Sequence, residues 1–488
     1  MRKTDYYLSV AMHNLYKYIT SRKELLALAV IAFILFFLQS RFLHVAAYPE
    51  TDEGIYAEAG RMMLNGFVPH EDFPIWHMPL LPALIGIGLK IFGSMYPLRL
   101  IFLFLNCFAA IPLFLTFKKI NKNSAIALLA VLFYVTFHEM VHHDFRFLAL
   151  RQTANIFFIM FFYLSICRSK WKWTPILQGL LIVASAFLFL PTAFNFLLLV
   201  GALLVYEPNY KKRVLQLKNY IIIAAVAIIA LLLYFLLIPN SADQVILDQL
   251  NRSSMDRLHR LELMFFGKFD AFFYSLSIVS LVIASVISNK LRSLSLAMLG
   301  IIALSALLPS FYYPHYISIA GPALAFGIFT FGILIYKACE LLNLKGSLIP
   351  FTIFILIFAH QFTLGFDSLV GEWSGNRKPD YYAFIDKLAK TPEPLLAMEP
   401  IYAVDADRKL VRDPIESYFR SPNPKRSFSN DDYNIMVDKA CTIILESKAS
   451  SFFPYELRNR WEKQFISVEK NNWGTILLTE NPHCQTNF

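Results

Sequence analysis

Two adjacent carboxylates, Asp52 and Glu53, follow the first long apolar run of the chain and are its best candidates for acid–base chemistry. The stretch Tyr56–Leu64 after them is predicted to form an amphipathic helix with Arg61 on its polar side. By spacing alone, Asp52 has two explanations. It caps the helix, or it lies at the mouth of a membrane-embedded cavity, where carboxylates are costly unless they are solvated or functional.

A second polar group lies between residues 138 and 154. His138 and His142 are four residues apart and share one face if the segment is helical. Imidazole and carboxylate suit zinc or manganese, so a divalent ion on His142, His143 and Asp144 is one interpretation. Interfacial histidines at such spacing also arise by chance, so the sequence does not require a metal or any other cofactor. The substrate-binding candidates of this group are His143, Asp144, Arg146 and Arg151, with Arg61 from the first loop.

Two further loops carry groups suited to an anion. Arg257 and Arg260 follow a long apolar run, where arginine can make paired hydrogen bonds to a lipid phosphate. The alternative for them is a solvated helix with internal ion pairs. Tyr312, His315 and Tyr316 form the other group, for which an interfacial aromatic belt is the alternative.

The elements that must position these residues are membrane helices. The chain of 488 residues is 57% hydrophobic and only 16% charged, with a mean hydropathy of +0.49. A soluble protein keeps about a quarter of its residues charged. Apolar runs of about 20 residues, each long enough to span a bilayer, predict about eleven transmembrane helices. They are 25–46, 97–117, 123–141, 149–167, 174–190, 192–206, 219–238, 269–288, 293–312, 316–336 and 347–366.

The net charge of +10 reflects orientation in the membrane rather than nucleic-acid binding, because the cations cluster between the apolar runs. Placing those clusters in the cytoplasm leaves a large first external loop, about residues 47–96. Within it, Met78–Gly93 is short and contains two prolines and two internal glycines. It is predicted to be a helix at the outer interface rather than a span.

From residue 367 to 488 the chain becomes polar, and this predicts a small extracytoplasmic α/β domain. Predicted strands are 395–398, 441–445 and 475–479, and predicted helices are 380–390 and 455–465. The carboxylates Glu393, Glu399, Asp405 and Asp407 are interpreted as solvated surface, and the segment 452–455 as the surface that docks on the membrane part. Cys441 and Cys484 can pair if the domain lies in an oxidising compartment.

The order of residues from 52 to 93 resembles the start of the lipid-linked-sugar transferases of the GT-C superfamily. The branch of protein O-mannosyltransferases and lipid A aminoarabinose transferases is the most similar. That branch has an Asp-Glu pair after the first span, an Ala-rich helix ending near a Gly, then Pro, Asp-Phe, Lys/His-Pro-Pro-Leu and Phe-Gly. The matching positions are Asp52, Glu53, Gly66, Pro69, Asp72, Phe73, His77, Pro79, Leu80, Phe92 and Gly93.

Three departures qualify the resemblance. His77 stands where the family often has a Lys that meets the donor phosphate, and a histidine can do so only when protonated or as a neutral donor. Arg151-Gln152-Thr153-Ala154 lacks the Asp of the family's second acidic site, for which Asp144 is the candidate substitute. Tyr312, His315 and Tyr316 fit a third motif that here lacks its Arg.

The resemblance implies a transmembrane catalytic domain over 1–366 and a variable soluble domain over 367–488. It further implies inverting transfer of a hexosyl or pentosyl group from a polyprenyl-phosphate carrier to a glycan, lipid or protein acceptor. The expected location is a multi-pass cell membrane, bacterial inner membrane if the organism is bacterial, with the site on the extracytoplasmic side. Asp52 is the expected base and Glu53 orients it or the sugar. His77, Arg257, Arg260, Tyr312, His315 and Tyr316 are the expected phosphate contacts. A lipid or glycan transporter is the alternative.

Overall fold

The structure is a computed structural model, and this description covers only part of the chain. The residues described are 23–43, 51–75, 77–136, 148–168, 171–207, 209–247, 271–307, 314–342, 352, 356, 359, 378–397, 400–411, 430–446, 455–471, 474–479, 481 and 484.

The described residues between 23 and 342 are mostly helical, as the apolar runs predict. In chain order the helices are α1 Lys23–Leu43, α2 Thr51–Leu64, α3 Leu80–Phe92, α4 Met95–Phe108, α5 Ala110–Asn121, α6 Ser124–Thr136, α7 Leu150–Cys167, α8 Thr174–Leu188, α9 Thr192–Tyr206, α10 Tyr210–Leu237, α11 Ala271–Ile287, α12 Arg292–Leu307 and α13 Gly321–Leu341. A π-helical turn spans Asp243–Leu247, and a 3₁₀ helix spans Pro314–Ala320.

The predicted class, a polytopic helical membrane protein, is confirmed. Among the described residues, five helical stretches are long and apolar enough to cross a membrane: Lys23–Ser40, Met95–Asn121, Leu150–Cys167, Arg213–Leu237 and Ile317–Leu341. The other predicted spans before residue 343 correspond to shorter apolar helices. The eleventh, 347–366, lies almost entirely outside the described residues, so the count of eleven crossings stays a prediction.

Burial separates the helices at the centre of the bundle from those at its rim. Helix α13 is almost wholly enclosed, and its Phe326 and Phe329 pack against Phe117 of α5. Gly327 lets α13 approach α11 closely, because a Cβ there would lie 2.6 Å from the Ser277 Cβ. Helix α10, by contrast, exposes a stripe of leucine and isoleucine that suits contact with lipid.

Basic residues gather at one end of the bundle. The Lys118 ammonium at the end of α5 lies 2.7 Å from the Glu24 carboxylate at the start of α1. Lys290, just past α11, donates to the Ile120 carbonyl at 2.8 Å. These ends belong to the clusters that the sequence assigns to one side of the membrane, and the fold brings them together.

At the opposite end, α2 and α3 cross at two glycines. A Cβ on Gly60 would lie 2.4 Å from the Pro82 carbonyl oxygen, and one on Gly86 would lie 2.5 Å from the Gly60 oxygen. Only glycine permits this backbone contact. Helix α3 ends at Gly93, whose left-handed φ of 71° suits a residue without a Cβ. The predicted helix over Met78–Gly93 therefore forms, and its position at the outer interface stays a prediction.

The polar tail contains a small α/β unit. Its elements are α14 Lys378–Leu388, β1 Leu395–Leu396, α15 Ile401–Asp405, α16 Asn430–Lys439, β2 Thr442–Glu446, α17 Tyr455–Gln464, β3 Ile466–Asn471 and β4 Gly474–Leu478. The sheet order is β1-β2-β4-β3, with β1 parallel to β2 and the other pairs antiparallel. Cys441 and Cys484 form a disulfide beside β2. Sequence analysis missed β3, α15 and α16, which are short or strongly polar.

Candidate functional site

Glu53 is completely buried and paired with Arg99. The Arg99 Nε lies 3.0 Å from both carboxylate oxygens, and a second guanidinium nitrogen also donates to Glu53. The backbone N–H of Leu148 donates to the Glu53 Oε1 at 3.0 Å. Glu53 therefore joins α2 to α4 and to the segment before α7. In this arrangement its carboxylate is held on all sides by protein groups.

Asp52 differs from Glu53 in its surroundings. It lies in the first turn of α2 with a half-exposed side chain. A carboxylate in the first turn of a helix is favoured by the helix dipole. Asp52 thus combines a backbone fixed in a helix with a side chain that solvent can reach.

The loop after α2 is braced from within. The Asp72 carboxylate accepts a 2.7 Å hydrogen bond from the Val68 N–H, and the His70 N–H donates to the Phe73 carbonyl at 2.9 Å. The Pro, Asp and Phe of the resemblance motif lie in this turn. Their role here is to shape the loop.

The same loop is fastened to the π-helical turn that follows α10. Gln244 Oε1 lies 3.1 Å from the His70 Nδ1 and 3.0 Å from the Ile75 nitrogen, and Gln244 Nε2 donates to the His70 carbonyl at 3.0 Å. Burial lowers the pKa of His70, although its hydrogen bonds to Gln244 and Ile75 oppose the shift. The fold therefore brings this π turn to the first loop, and Arg257 and Arg260 follow it in the sequence.

Polar residues at the start of α7 lie at the same end of the bundle as the first loop. Arg151, Gln152 and Asn155 are all buried. The Asn155 Nδ2 donates to the Ser318 carbonyl in the 3₁₀ helix at 2.7 Å, and the Asn106 Nδ2 donates to the Gln152 Oε1 at 2.6 Å. The 3₁₀ helix contains His315 and Tyr316. Sequence segments far apart in the chain are therefore packed at one end of the bundle.

His77 lies between two aromatic rings. Its ring centroid is 5.8 Å from those of Tyr56 in α2 and Phe189 after α8, and its side chain is half exposed. Edge-to-face packing of this kind holds the imidazole in place while one side remains accessible. An imidazole held three residues before α3 can donate to an anion that approaches the first loop.

The soluble domain also reaches this region. The Arg61 Nη1 donates to the Arg408 carbonyl at 3.0 Å, and Arg61 lies 3.7 Å from the carboxylates of both Glu58 and Asp407. Burial raises the pKa of Glu58, and the positive charge of Arg61 opposes this rise. Arg61 thus links α2 to the turn after α15. This contact makes Arg61 a residue of the domain interface.

Asp405 corrects one interpretation from sequence. The sequence suggests solvated surface, but Asp405 is half-buried and accepts a 2.7 Å hydrogen bond from the Tyr381 hydroxyl. Burial raises the pKa of Asp405, while the charge of Arg99 and the Tyr381 hydroxyl oppose the rise. Asp407 is exposed, as interpreted. Helix α15 docks on the membrane part, whereas most of the predicted docking segment 452–455 lies outside the described residues.

Two solved structures resemble this architecture. ArnT from Cupriavidus metallidurans bound to undecaprenyl phosphate matches over 93% of this chain and 98% of its own, with a TM-score of 0.62 at 14% identity. An oligosaccharyltransferase from Archaeoglobus fulgidus, tethered to an acceptor peptide, matches over 89% and 70%, with a TM-score of 0.50 at 12% identity. No protein-family model and no curated protein matches the sequence. The chain has the GT-C fold.

Several predicted site residues of this GT-C fold lie outside the described residues: His142, His143, Asp144, Arg146, Arg257, Arg260 and Tyr312. For His315 and Tyr316 only the backbone is described. Their roles, and those of Asp52, Glu53 and His77, stay predictions. Within the described residues no group of three or more metal-binding side chains occurs, and the predicted histidine cluster is not among them.

Sequence reasoning about the candidate site missed Arg99, Gln244, Tyr381 and Asp405. Arg99 was assigned to an apolar span, and a charge at the start of a span is itself a signal for a buried partner. The other three stand in segments whose composition is unremarkable. Only the tertiary contacts single them out.

Proposed function

We propose that the protein is a membrane glycosyltransferase that moves a sugar from a polyprenyl-phosphate carrier to an acceptor hydroxyl on the non-cytoplasmic side, with inversion. The observation that carries the proposal is the half-exposed Asp52 beside a buried, fully paired Glu53, on a fold like that of an ArnT crystallised with undecaprenyl phosphate. A site of this kind has one carboxylate that solvent can reach and one that is buried in an ion pair.

In the proposed reaction the acceptor oxygen attacks the anomeric carbon of the sugar. The bond from that carbon to the phosphate oxygen breaks, and the electron pair leaves with polyprenyl phosphate. The Asp52 carboxylate accepts the proton of the hydroxyl as attack proceeds, because a neutral hydroxyl is a weak nucleophile. Charge that develops on the leaving phosphate is stabilised by preorganised donors, for which His77 is the described candidate.

The proposed sidedness rests on two features. Basic residues gather at one end of the bundle, and Asp52, the soluble domain and its disulfide lie at the other. Cytoplasmic loops are enriched in Lys and Arg, and disulfides persist in oxidising compartments. Both favour a site outside the cytosol.

The test is transfer by the purified full-length protein. Undecaprenyl-phosphate sugars labelled in the sugar (hexoses and aminopentoses) are incubated with extracts of cell-envelope acceptors, and both labelled product and undecaprenyl phosphate are measured. Asp52→Asn should fold normally and lose about 10²- to 10⁴-fold in kcat, the usual contribution of a general base. Asp386→Asn, an exposed change of the same charge in α14, is the matched control and should keep the wild-type rate.

Two outcomes would contradict the proposal. Wild-type transfer rates in Asp52→Asn would remove Asp52 as the base. Movement of intact lipid-linked sugar across vesicles, with no transfer, would instead indicate a transporter.

A further inference from the structure

Helix α15 of the soluble domain lies directly on the backbone of α2. A Cβ built on Gly54 would be 2.5 Å from the Ile401 nitrogen and 2.9 Å from its Cα. Gly54 follows Asp52 and Glu53, so the contact is made beside the two carboxylates. A side chain at position 54 would push the domains apart, and glycine is needed there for close approach.

The contact is fastened at its other end by Arg61. Seven residues after Gly54 on α2, the Arg61 guanidinium donates to the carbonyl of Arg408, just beyond α15. The short segment 401–408 is thereby held against α2 over two turns of helix. The soluble domain and the first loop form one packed unit at this point, with Ile401, Tyr402 and Ala403 buried in the same core as Ile55 and Tyr56.

A side-chain hydrogen bond fixes α15 within the soluble domain. The Tyr381 hydroxyl in α14 donates to the half-buried Asp405 carboxylate at the end of α15, at 2.7 Å. The charge of Arg99, the partner of Glu53, lowers the pKa of Asp405 against the effect of burial and so supports the same arrangement. Asp405 and Tyr381 therefore hold α15 in the position in which it contacts Gly54.

We infer that Asp405 and Tyr381 are positioning residues of the transferase site: they fix α15 against Gly54, and α15 in turn holds the adjacent Asp52 and Glu53 in reactive geometry. This inference rests on the proposed function. It makes the soluble domain a structural part of the site rather than an appended module. Because about 1 Å of misplacement can lower a rate up to 10²-fold, a residue that never touches substrate can govern kcat in this way.

The experiment compares Asp405→Asn and Tyr381→Phe with Asp386→Asn in the full-length protein. Asp405→Asn removes the charge with little change in size, and Tyr381→Phe removes only the hydroxyl while the ring stays packed near Tyr402. Rates are measured with undecaprenyl-phosphate sugars and corrected for the folded fraction. Hydrogen–deuterium exchange of residues 51–64 is measured on the same samples without substrate.

Asp405→Asn should lower kcat by about tenfold or more while the KM for the donor changes by less than about threefold, because geometry rather than phosphate binding is lost. Exchange in 51–64 should increase. Tyr381→Phe should also lower kcat and increase exchange in 51–64, both by less than Asp405→Asn does. Asp386→Asn should change neither kcat nor exchange. A purely structural role would reduce the folded fraction and leave the corrected kcat unchanged.

Wild-type kcat and wild-type exchange in Asp405→Asn would overturn the inference. If the wild type transfers no sugar from any donor, the proposed function fails. In that case exchange still decides whether Asp405 holds the first loop, since that measurement requires no substrate.

Discussion

At the scale of single residues, burial separates two ion pairs that look alike in sequence. The Glu24 and Lys118 side chains are 38% and 37% exposed, whereas Glu53 is 0% exposed and Arg99 only 13%. A surface pair contributes about 0–1 kcal/mol. Breaking a buried pair costs about 3–5 kcal/mol, because the remaining charge is uncompensated. Removing one partner of the Glu53–Arg99 pair should therefore destabilise the start of α2 much more than removing one partner of the Glu24–Lys118 pair destabilises the start of α1.

His70 should make the stability of the folded protein depend on pH. Because burial lowers its pKa in the folded state, the unfolded chain takes up the proton first as the pH falls through about 6.5. Stability should therefore decrease from about pH 7.5 to 5.5, by about 1.4 kcal/mol for each unit of pKa depression. His70→Asn does not titrate and suits the backbone φ of 71°.

Thermal unfolding across that pH range measures the effect. The His70→Asn protein should lose less stability than wild type between about pH 7.5 and 5.5. Equal losses in the two proteins would show that His70 is not the group responsible.

At the scale of elements, the crossing of α2 and α3 decides where the first loop lies. The two helices touch through backbone at Gly60 and Gly86, and this permits α2 to pack deep beside α4 and the start of α7. Both glycines are visible in the sequence. Their pairing is not, since many small residues in helices have no such partner.

Gly60→Ala tests this crossing. Its Cβ would meet backbone atoms at 2.4–2.9 Å that cannot move independently, so overpacking should destabilise the protein by about 1–3 kcal/mol. Gly201→Ala in α9 is the matched control: a Cβ there meets nothing within 4 Å, and the higher helix propensity of alanine should leave stability unchanged or raise it by up to about 1 kcal/mol. Thermal unfolding of the two variants in detergent gives the comparison. Equal midpoints would contradict the close crossing.

At the scale of the whole molecule, the two ends of the bundle are chemically different. One end gathers Lys118 and Lys290 near Glu24, and the other holds the carboxylates of the first loop under the soluble domain. Such polarity orients a helical protein in a membrane.

The oxidation state of the cysteines provides a test of which end lies outside the cytosol. Cys107, Cys167 and Cys339 are free thiols, and Cys441 and Cys484 are paired. Thiol labelling of denatured, unreduced protein purified from its native membrane should modify three cysteines, and labelling after reduction should modify all five. Modification of all five without reduction would contradict an oxidised, extracytoplasmic domain.

Replacing Cys441 and Cys484 by serine should also destabilise the soluble domain by about 4 kcal/mol, given their separation of 43 residues. Cys339→Ser, which changes a free thiol in α13, is the control and should have little effect.

The sequence by itself determined the class of protein, most helix positions, the Asp-Glu pair and the likeness to GT-C transferases. These properties follow from local quantities, since hydropathy, helix length and ordered motifs are read along the chain. The tertiary structure alone decided which carboxylate is sealed and which is accessible. It also revealed the pairing of Arg99 with Glu53 and the docking of α15 on Gly54. Such contacts join residues up to about 350 positions apart, and their energies depend on burial, which no local pattern encodes.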